Sequence, residues 1–266
     1  MLNKKIILVG RKSFLSQNFS FFLKKKKIKF LRISLNKFIK LNHNKLKNYQ
    51  TILNFSINKD FVKKKYAIKN DLDLKVAKKI KETNIRFIVL STSKVYKSAP
   101  NLKETSLKRP LTNYGKNKLK SEIGIKKILT NYVILRTSNI IGRKLIKNKR
   151  SVTNTFFDMV RSNIKKNKIV IPEKNFFKDF IFIEDFCIVL LKILTKKIIG
   201  IYNLSSGRKT YLHSIAKMIS HNTKIPISYN NDITDSFTLS NFKLLKDLKI
   251  NYNFKKINSK NIKRYL

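Results

Sequence analysis

Residues 6–33 read IILVGRKSFLSQNFSFFLKKKKIKFLRI, and the spacing of apolar residues changes twice along them. Ile6–Val9 is an unbroken apolar run closed by Gly10, the pattern of a strand buried on both faces. Over residues 13–26 the apolar positions Phe14, Leu15, Phe19, Phe22 and Leu23 fall at helical spacing. Residues 28–33 return to a strand pattern. Strand, glycine turn, helix and strand within so short a span predict a βαβ unit. Outward from it, 51–57 (TILNFSI), 86–90 (RFIVL) and 132–136 (YVILR) read as buried strands, and 69–84 and 113–129 as helices. Together they predict an α/β fold, a doubly wound parallel sheet over residues 1–145. Past Gly142 the pattern loosens. A helix at 151–166, a loop through Pro172, the run FKDFIFIEDFCIVLLKIL, then GIYNLSSG and a helix at 211–221 predict a smaller mixed lobe over 146–266. Some of its elements are expected to return to the sheet.

The chain of 266 residues carries a formal charge of +47. Only ten of its 61 basic residues are arginine, the residue that base-reading and phosphate-forking surfaces favour. Lysine, isoleucine and asparagine are enriched together and share A/T-rich codons, so a biased composition accounts for the charge. Sequence-blind, salt-sensitive attraction to polyanions is expected, and no specific nucleic acid. The single Cys187 excludes an internal disulfide and a cysteine-rich zinc site, and His43, His213 and His221 lack metal-ligand spacing. No apolar run approaches the roughly 20 residues of a membrane-spanning helix. A cytoplasmic protein is the expectation.

In sheets of this kind ligands sit beyond the carboxyl ends of the strands, where Gly10, Thr92, Tyr114 and Asn139 fall. Tyr114 and Lys118 lie four residues apart on one predicted helix and share a face. A lysine cation beside a phenol favours the phenolate, and a Thr92 hydroxyl could share the proton. Three such groups suffice for acid/base work at an alcohol or ketone.

Seven segments in order extend this pattern: GRKSFLSQNF (10–19), STSKVY (91–96), PLTNYGKNKLKSE (110–122), ILRTSNIIG (134–142), KDFIFIEDF (178–186), GIYNLSSG (200–207) and LSNFKLLKDL (239–248). They resemble the motifs of the extended short-chain dehydrogenases/reductases, in the NAD-dependent epimerase/dehydratase family that acts on nucleotide sugars. The resemblance implies a Rossmann-type sheet and a nucleotide-sugar substrate. It makes Thr92 the catalytic hydroxyl, Tyr114 the acid/base, and Lys118 the group that lowers the Tyr114 pKa and holds the nicotinamide ribose. Gly10, Arg11, Ser13, Phe14, Leu15 and Arg32 would line the dinucleotide, and Asn139 and Lys178 the substrate. It implies a homodimer through the tyrosine-bearing helix, whose outward positions are expected to include Leu119, Ile123, Ile125 and Ile128.

The departures narrow the expectation. Ser13 and Ser16 stand where the family's second and third glycines belong, while Arg11 and Lys12 could offset phosphate charge. The end of the second strand, Arg32-Ile33-Ser34, lacks the acidic residue that grips a ribose 2′-hydroxyl, and Arg32 or Arg11 could meet a 2′-phosphate, which puts NADP ahead of NAD. Ser93 and Lys94 replace the Asp-Glu pair of family dehydratases, so a 4,6-dehydratase is not expected. A nucleotide-sugar epimerase or a keto-sugar reductase is expected. The class-distinct alternative is a cofactor-free member that binds nucleotide sugar or RNA.

Overall fold

The computed structural model describes residues 5–142, 145, 156–172, 176–231 and 235–265. In chain order, β1 (Ile6–Val9), α1 (Phe14–Lys25) and β2 (Phe30–Ile33) form the opening βαβ unit. Two short helices, α2 (Leu35–Ile39) and α3 (His43–Leu46), lead to β3 (Thr51–Asn54). Then come α4 (Lys59–Lys63), α5 (Leu72–Lys79), β4 (Arg86–Thr92), α6 (Asn113–Ile128) and β5 (Tyr132–Thr137). The remainder holds β6 (Asn139–Ile141), α7 (Phe156–Lys165), β7 (Ile169–Pro172), β8 (Phe177–Lys178), β9 (Phe180–Phe182), α8 (Ile183–Thr195), β10 (Gly200–Leu204), β11 (Thr210–Tyr211), α9 (Leu212–Thr223), β12 (Ile227–Asn230), α10 (Phe242–Leu248) and α11 (Ser259–Lys263).

Six strands form one parallel sheet in the order β10-β5-β4-β3-β1-β2. The chain runs from β1 outward to the β2 edge, then crosses back to lay β3 on the other side of β1. That reversal opens a crevice beyond the carboxyl ends of β1 and β3. Both faces are covered, which explains the unbroken apolar runs. Ile6, Leu8, Leu53 and Ile88 point to a core shared with α1 and α8, with Phe19, Leu23, Phe186 and Leu190. Their neighbours Ile7, Val9, Ile52, Phe87 and Val89 point to the opposite core, with Phe38, Leu74 and Ile125. A third cluster around Ile169, Ile171, Phe180, Leu212 and Ile215 holds the lobe together.

The main elements lie where the sequence places them, apart from the loop expected through Pro172, which holds β7 paired with β12, and three further differences. Residues 69–84 hold a helix only over Leu72–Lys79. The boundary expected near 145 falls where Leu145 alone is described, and of the helix expected at 151–166 residues 151–155 lie outside the described residues. The third concerns α6. Ile125 is buried in the core, Ile128 packs against the same cluster, and Leu119 packs beside Val95 and Leu239. Of the four positions expected to face outward, only Ile123 is exposed, at 48%.

The returning strand β10 pairs with β5, so residues past 199 complete the sheet begun at residue 6. Arg86, at the start of β4, ties the same distant segment down. Its Nη1 donates to the carbonyls of Ile193 (2.8 Å) and Lys196 (2.7 Å), and its Nη2 to that of Ile198 (2.7 Å). These carbonyls close the carboxyl end of α8, where a cation also meets the negative pole of the helix. Replacing Arg86 with methionine leaves those acceptors buried without the charged donor. The substitution is expected to cost about 3 kcal/mol, read as a lower midpoint with unchanged slope in urea unfolding.

Candidate active site

The first turn after β1 is shaped by crowding. Gly10 has φ +100°, and a Cβ there would stand 2.6 Å from the Ser56 nitrogen and 2.7 Å from the Phe55 carbonyl carbon. The amides of Gly10 and Arg11 both donate to the Ile33 carbonyl, at 3.0 and 3.2 Å, which draws the turn against the end of β2. Ser13 donates its own amide to the Gly10 carbonyl at 2.9 Å and starts α1 at an ordinary φ of −66°, a position that does not require glycine. Its side chain makes no cap, no acid lies in the first turn, and the amides of Phe14, Leu15 and Ser16 have no acceptor among the described residues. Ser16 is fully buried, and its hydroxyl likewise has no partner. A helix start with free amides, positive polarity and an orphaned hydroxyl suits a pyrophosphate, so this turn fits a dinucleotide despite its two serines. The Phe14 and Leu15 side chains pack against the core, and the Phe14 ring reaches toward Gly142. Only their backbone amides remain for a ligand.

At the β2 edge, Arg32 donates from Nη1 to the Ser20 hydroxyl at 2.8 Å. Its guanidinium is held below its ordinary value, by burial first and then by the neighbouring Arg11 cation. Two like charges share this corner, and the sequence holds no acid before Asp60.

The second half of the site is built on α6. Thr112 caps it by accepting from the Gly115 amide at 3.1 Å. A Cβ on Gly115 would land on the Lys94 carbonyl, so this glycine seats α6 against the turn that follows β4. In that turn Thr92, at the end of β4, accepts through Oγ1 from the Lys94 amide at 3.3 Å. The buried residues of α6 are Gly115, Asn117, Lys118, Ser121, Glu122 and Ile125, and only one has an apolar side chain. Each polar one is answered. Asn117 donates to the Phe61 and Lys64 carbonyls at 2.8 and 2.9 Å. Lys118 donates to Asp73 at 2.6 Å and to the Leu90 carbonyl at 2.7 Å. Ser121 donates to Asp71 at 2.5 Å. Glu122 forms a buried pair with Arg136 at 2.6 Å and accepts from Ser91 at 2.5 Å. Arg136 donates onward to the Tyr96 hydroxyl (2.8 Å), which donates to Asn203 (2.7 Å).

Tyr114, half-buried one turn before Lys118, makes no hydrogen bond among the described residues. The sequence leads one to expect a lowered Tyr114 value, but it stands above the ordinary one. Burial is the largest cause, Lys118 pulls it down, and Asp73 pushes it up. Beside the Thr92 turn a recess opens between Ser93, Lys94, Thr112, Asp235 and Phe237. Lys178 packs against two of these residues, with its amine over the Phe237 ring, 5.3 Å from the centroid, and donating to the Asp235 carbonyl. Burial lowers its pKa to about 8. Asn139 is otherwise engaged, its amide and side-chain nitrogen both donating to the Asp179 carbonyl at 3.1 Å. The Asp179 carboxylate accepts from Ser206, Gly207 and Leu239 at 2.8–3.2 Å. Burial lifts that carboxyl to about 6 against those donors.

Sequence reasoning missed Asp73, Gly115, Glu122, Arg136 and Asp179. The i, i+4, i+8 series Tyr114, Lys118, Glu122 was the available signal, since it marks one helix face as polar. The model of the NAD dependent epimerase/dehydratase family matches residues 25–205. The chain belongs to that family. The match begins beyond the Gly10–Ser16 turn, where the family's second and third glycines are replaced. No curated protein sequence matches the chain. Among solved structures, the chain is similar to MoeE5 in complex with UDP-glucose and NAD, with TM-score 0.78, 16% identity, and 98% and 97% of the two chains covered. It is similar to the Thermotoga maritima UDP-glucose 4-epimerase with UDP-glucose, with TM-score 0.79, 14% identity, and 98% and 97% covered. It is also similar to the Bacillus anthracis dTDP-glucose 4,6-dehydratase in complex with NAD, with TM-score 0.75, 17% identity, and 98% and 95% covered. At such identities the likeness carries the fold. Among the described residues no helix is long and apolar enough to cross a membrane, and no cluster of ligands for a metal is found.

Gly10→Ala is the direct test of the first turn. Left-handed backbone and overlap with the β3 strand end are expected to cost about 3 kcal/mol in denaturant unfolding.

Proposed function

We propose that the protein is an NAD(P)-dependent nucleotide-sugar epimerase or keto-sugar reductase, with Tyr114 as acid/base. The observation that carries this is that Tyr114 stands one helical turn before a buried, charged Lys118 that is held to the end of β4. MoeE5, which shares the fold, is found in complex with UDP-glucose and NAD, which supports a nucleotide sugar and a nicotinamide dinucleotide here. When bound, the dinucleotide supplies hydride exchange at a sugar-ring carbon. The chain supplies the rest. The Phe14–Ser16 amides and the Ser16 hydroxyl hold pyrophosphate, and the sugar lies beyond the end of β4, toward Thr92 and Tyr114. Thr92 fixes the sugar oxygen, and Tyr114 passes the proton to it or takes it away.

The raised Tyr114 value means the phenol rests protonated at neutral pH, the form that donates to a ketone oxygen. Both readings use that form, the reductase in its single reduction and the epimerase in its second half-reaction. Ser93 and Lys94 offer no acid to assist a dehydration. Tyr114→Phe removes one hydroxyl and leaves the helix in place. Turnover of a UDP-keto-sugar should fall about 10²–10⁴-fold with dinucleotide affinity nearly unchanged. Wild-type turnover in that variant would overturn the assignment, as would calorimetry with no saturable binding of any nicotinamide dinucleotide.

The Arg11–Arg32 corner adds a preference. Two guanidinium groups with no nearby acid favour a 2′-phosphate, so NADP is expected ahead of NAD. Arg32→Gln should weaken NADP binding about tenfold in calorimetry and leave NAD within about twofold.

A further inference from the structure

Lys118 and Asp73 are both nearly inaccessible, at 4% exposure each. An ammonium group has three donors, and two are taken, by Asp73 Oδ2 and by the Leu90 carbonyl. The other Asp73 oxygen accepts from the Asn54 side chain at 2.6 Å, and Asn54 in turn accepts from the Ser56 amide at 3.1 Å. A continuous polar chain thus runs from the end of β3 through α5 to α6 and ends on β4. The Phe61 ring closes the pocket 5.7 Å from the ammonium.

Burial alone would lower the Lys118 value, and the same burial raises that of Asp73, which the Lys118 cation and the donors from Lys118 and Asn54 oppose. Asp73 is the strongest opposing influence, Tyr114 and Asp71 add to it, and Lys118 stays above the ordinary lysine value. Asp71, the cap of α5, is itself occupied by Ser121, by the Leu74 amide and by the Tyr66 hydroxyl, so it cannot take the place of Asp73. We infer that Asp73 is a positioning residue of the Tyr114–Lys118 pair: its carboxylate pins the charged ammonium to the Leu90 carbonyl and leaves a single N–H for Tyr114 or a ribose hydroxyl. The inference deepens the proposed function and rests on its acid/base assignment.

The sign of the effect follows from burial. Lys118 in the wild type keeps its charge to high pH. With an amide at position 73, desolvation dominates and the amine deprotonates within the working range. In calorimetry, wild-type affinity for reduced dinucleotide should be flat from pH 7 to pH 9.5. Asp73→Asn should lose about tenfold over that interval, the worth of one hydrogen bond from a charged donor. Asp73→Glu, which keeps the carboxylate, should restore the flat profile. A purely structural role predicts equal loss at every pH in both variants, and that result would overturn the inference while leaving the enzyme assignment standing. Wild type that binds no dinucleotide would overturn both. Should Asp73→Asn fail to fold, the ligand-free protein still decides. Adding Asp73→Asn to Lys118→Met removes a stranded buried carboxylate and should raise the melting temperature by about 5 °C, whereas a further fall would sink the inference.

Discussion

Helix α6 lies against the sheet with a polar face, and the site depends on that face being fully answered. A buried amide, ammonium, hydroxyl and carboxylate would each cost about 1–3 kcal/mol or more if left without partners. Asn117, Lys118, Ser121 and Glu122 avoid that cost by reaching different elements: the end of α4, α5 with β4, the cap of α5, and β4 with β5. The register of α6 is therefore fixed by chemistry at four points as well as by shape. Tyr114 inherits its position from that register. A helix seated by apolar contacts alone could rotate or slide by a fraction of a turn at little cost.

The same arrangement separates two kinds of motif residue. Tyr114 lies in the first turn of α6 and Thr92 at the end of β4. Glu122, Arg136, Tyr96 and Asn203 come from four segments of the same motif series and meet in one buried network. Asp179 does similar work on the lobe side, gathering three backbone amides from two loops. Asn139 joins that cluster through its donors to the Asp179 carbonyl.

Much of the fold was legible because the sheet is buried on both sides. Strands such as Ile6–Val9 and the first four residues of Tyr132–Thr137 appear in the sequence as apolar runs, and α1 shows helical spacing. The short strands of the lobe were not legible. Phe177–Lys178 and Thr210–Tyr211 are two residues long, and their pairing is set by distant partners rather than by local preference. The orientation of α6 was misread for Leu119, Ile125 and Ile128, because polar residues ordinarily mark the outer face of a helix and here they mark the inner one. Tyr114 and Lys118 were visible through their spacing. Asp73 was not, since its separation of 45 positions from Lys118 carries no distance information until β3, β4 and α6 are packed.

The late return of β10 governs how the chain can be made. Until Gly200–Leu204 leaves the ribosome, β5 is an open edge with unsatisfied backbone groups, and the three carbonyl acceptors of Arg86 emerge only just before it. A nascent chain with its first five sheet strands assembled is thus a template for pairing with its neighbours on a polysome. The +47 charge, spread along the whole length, repels those neighbours throughout this interval.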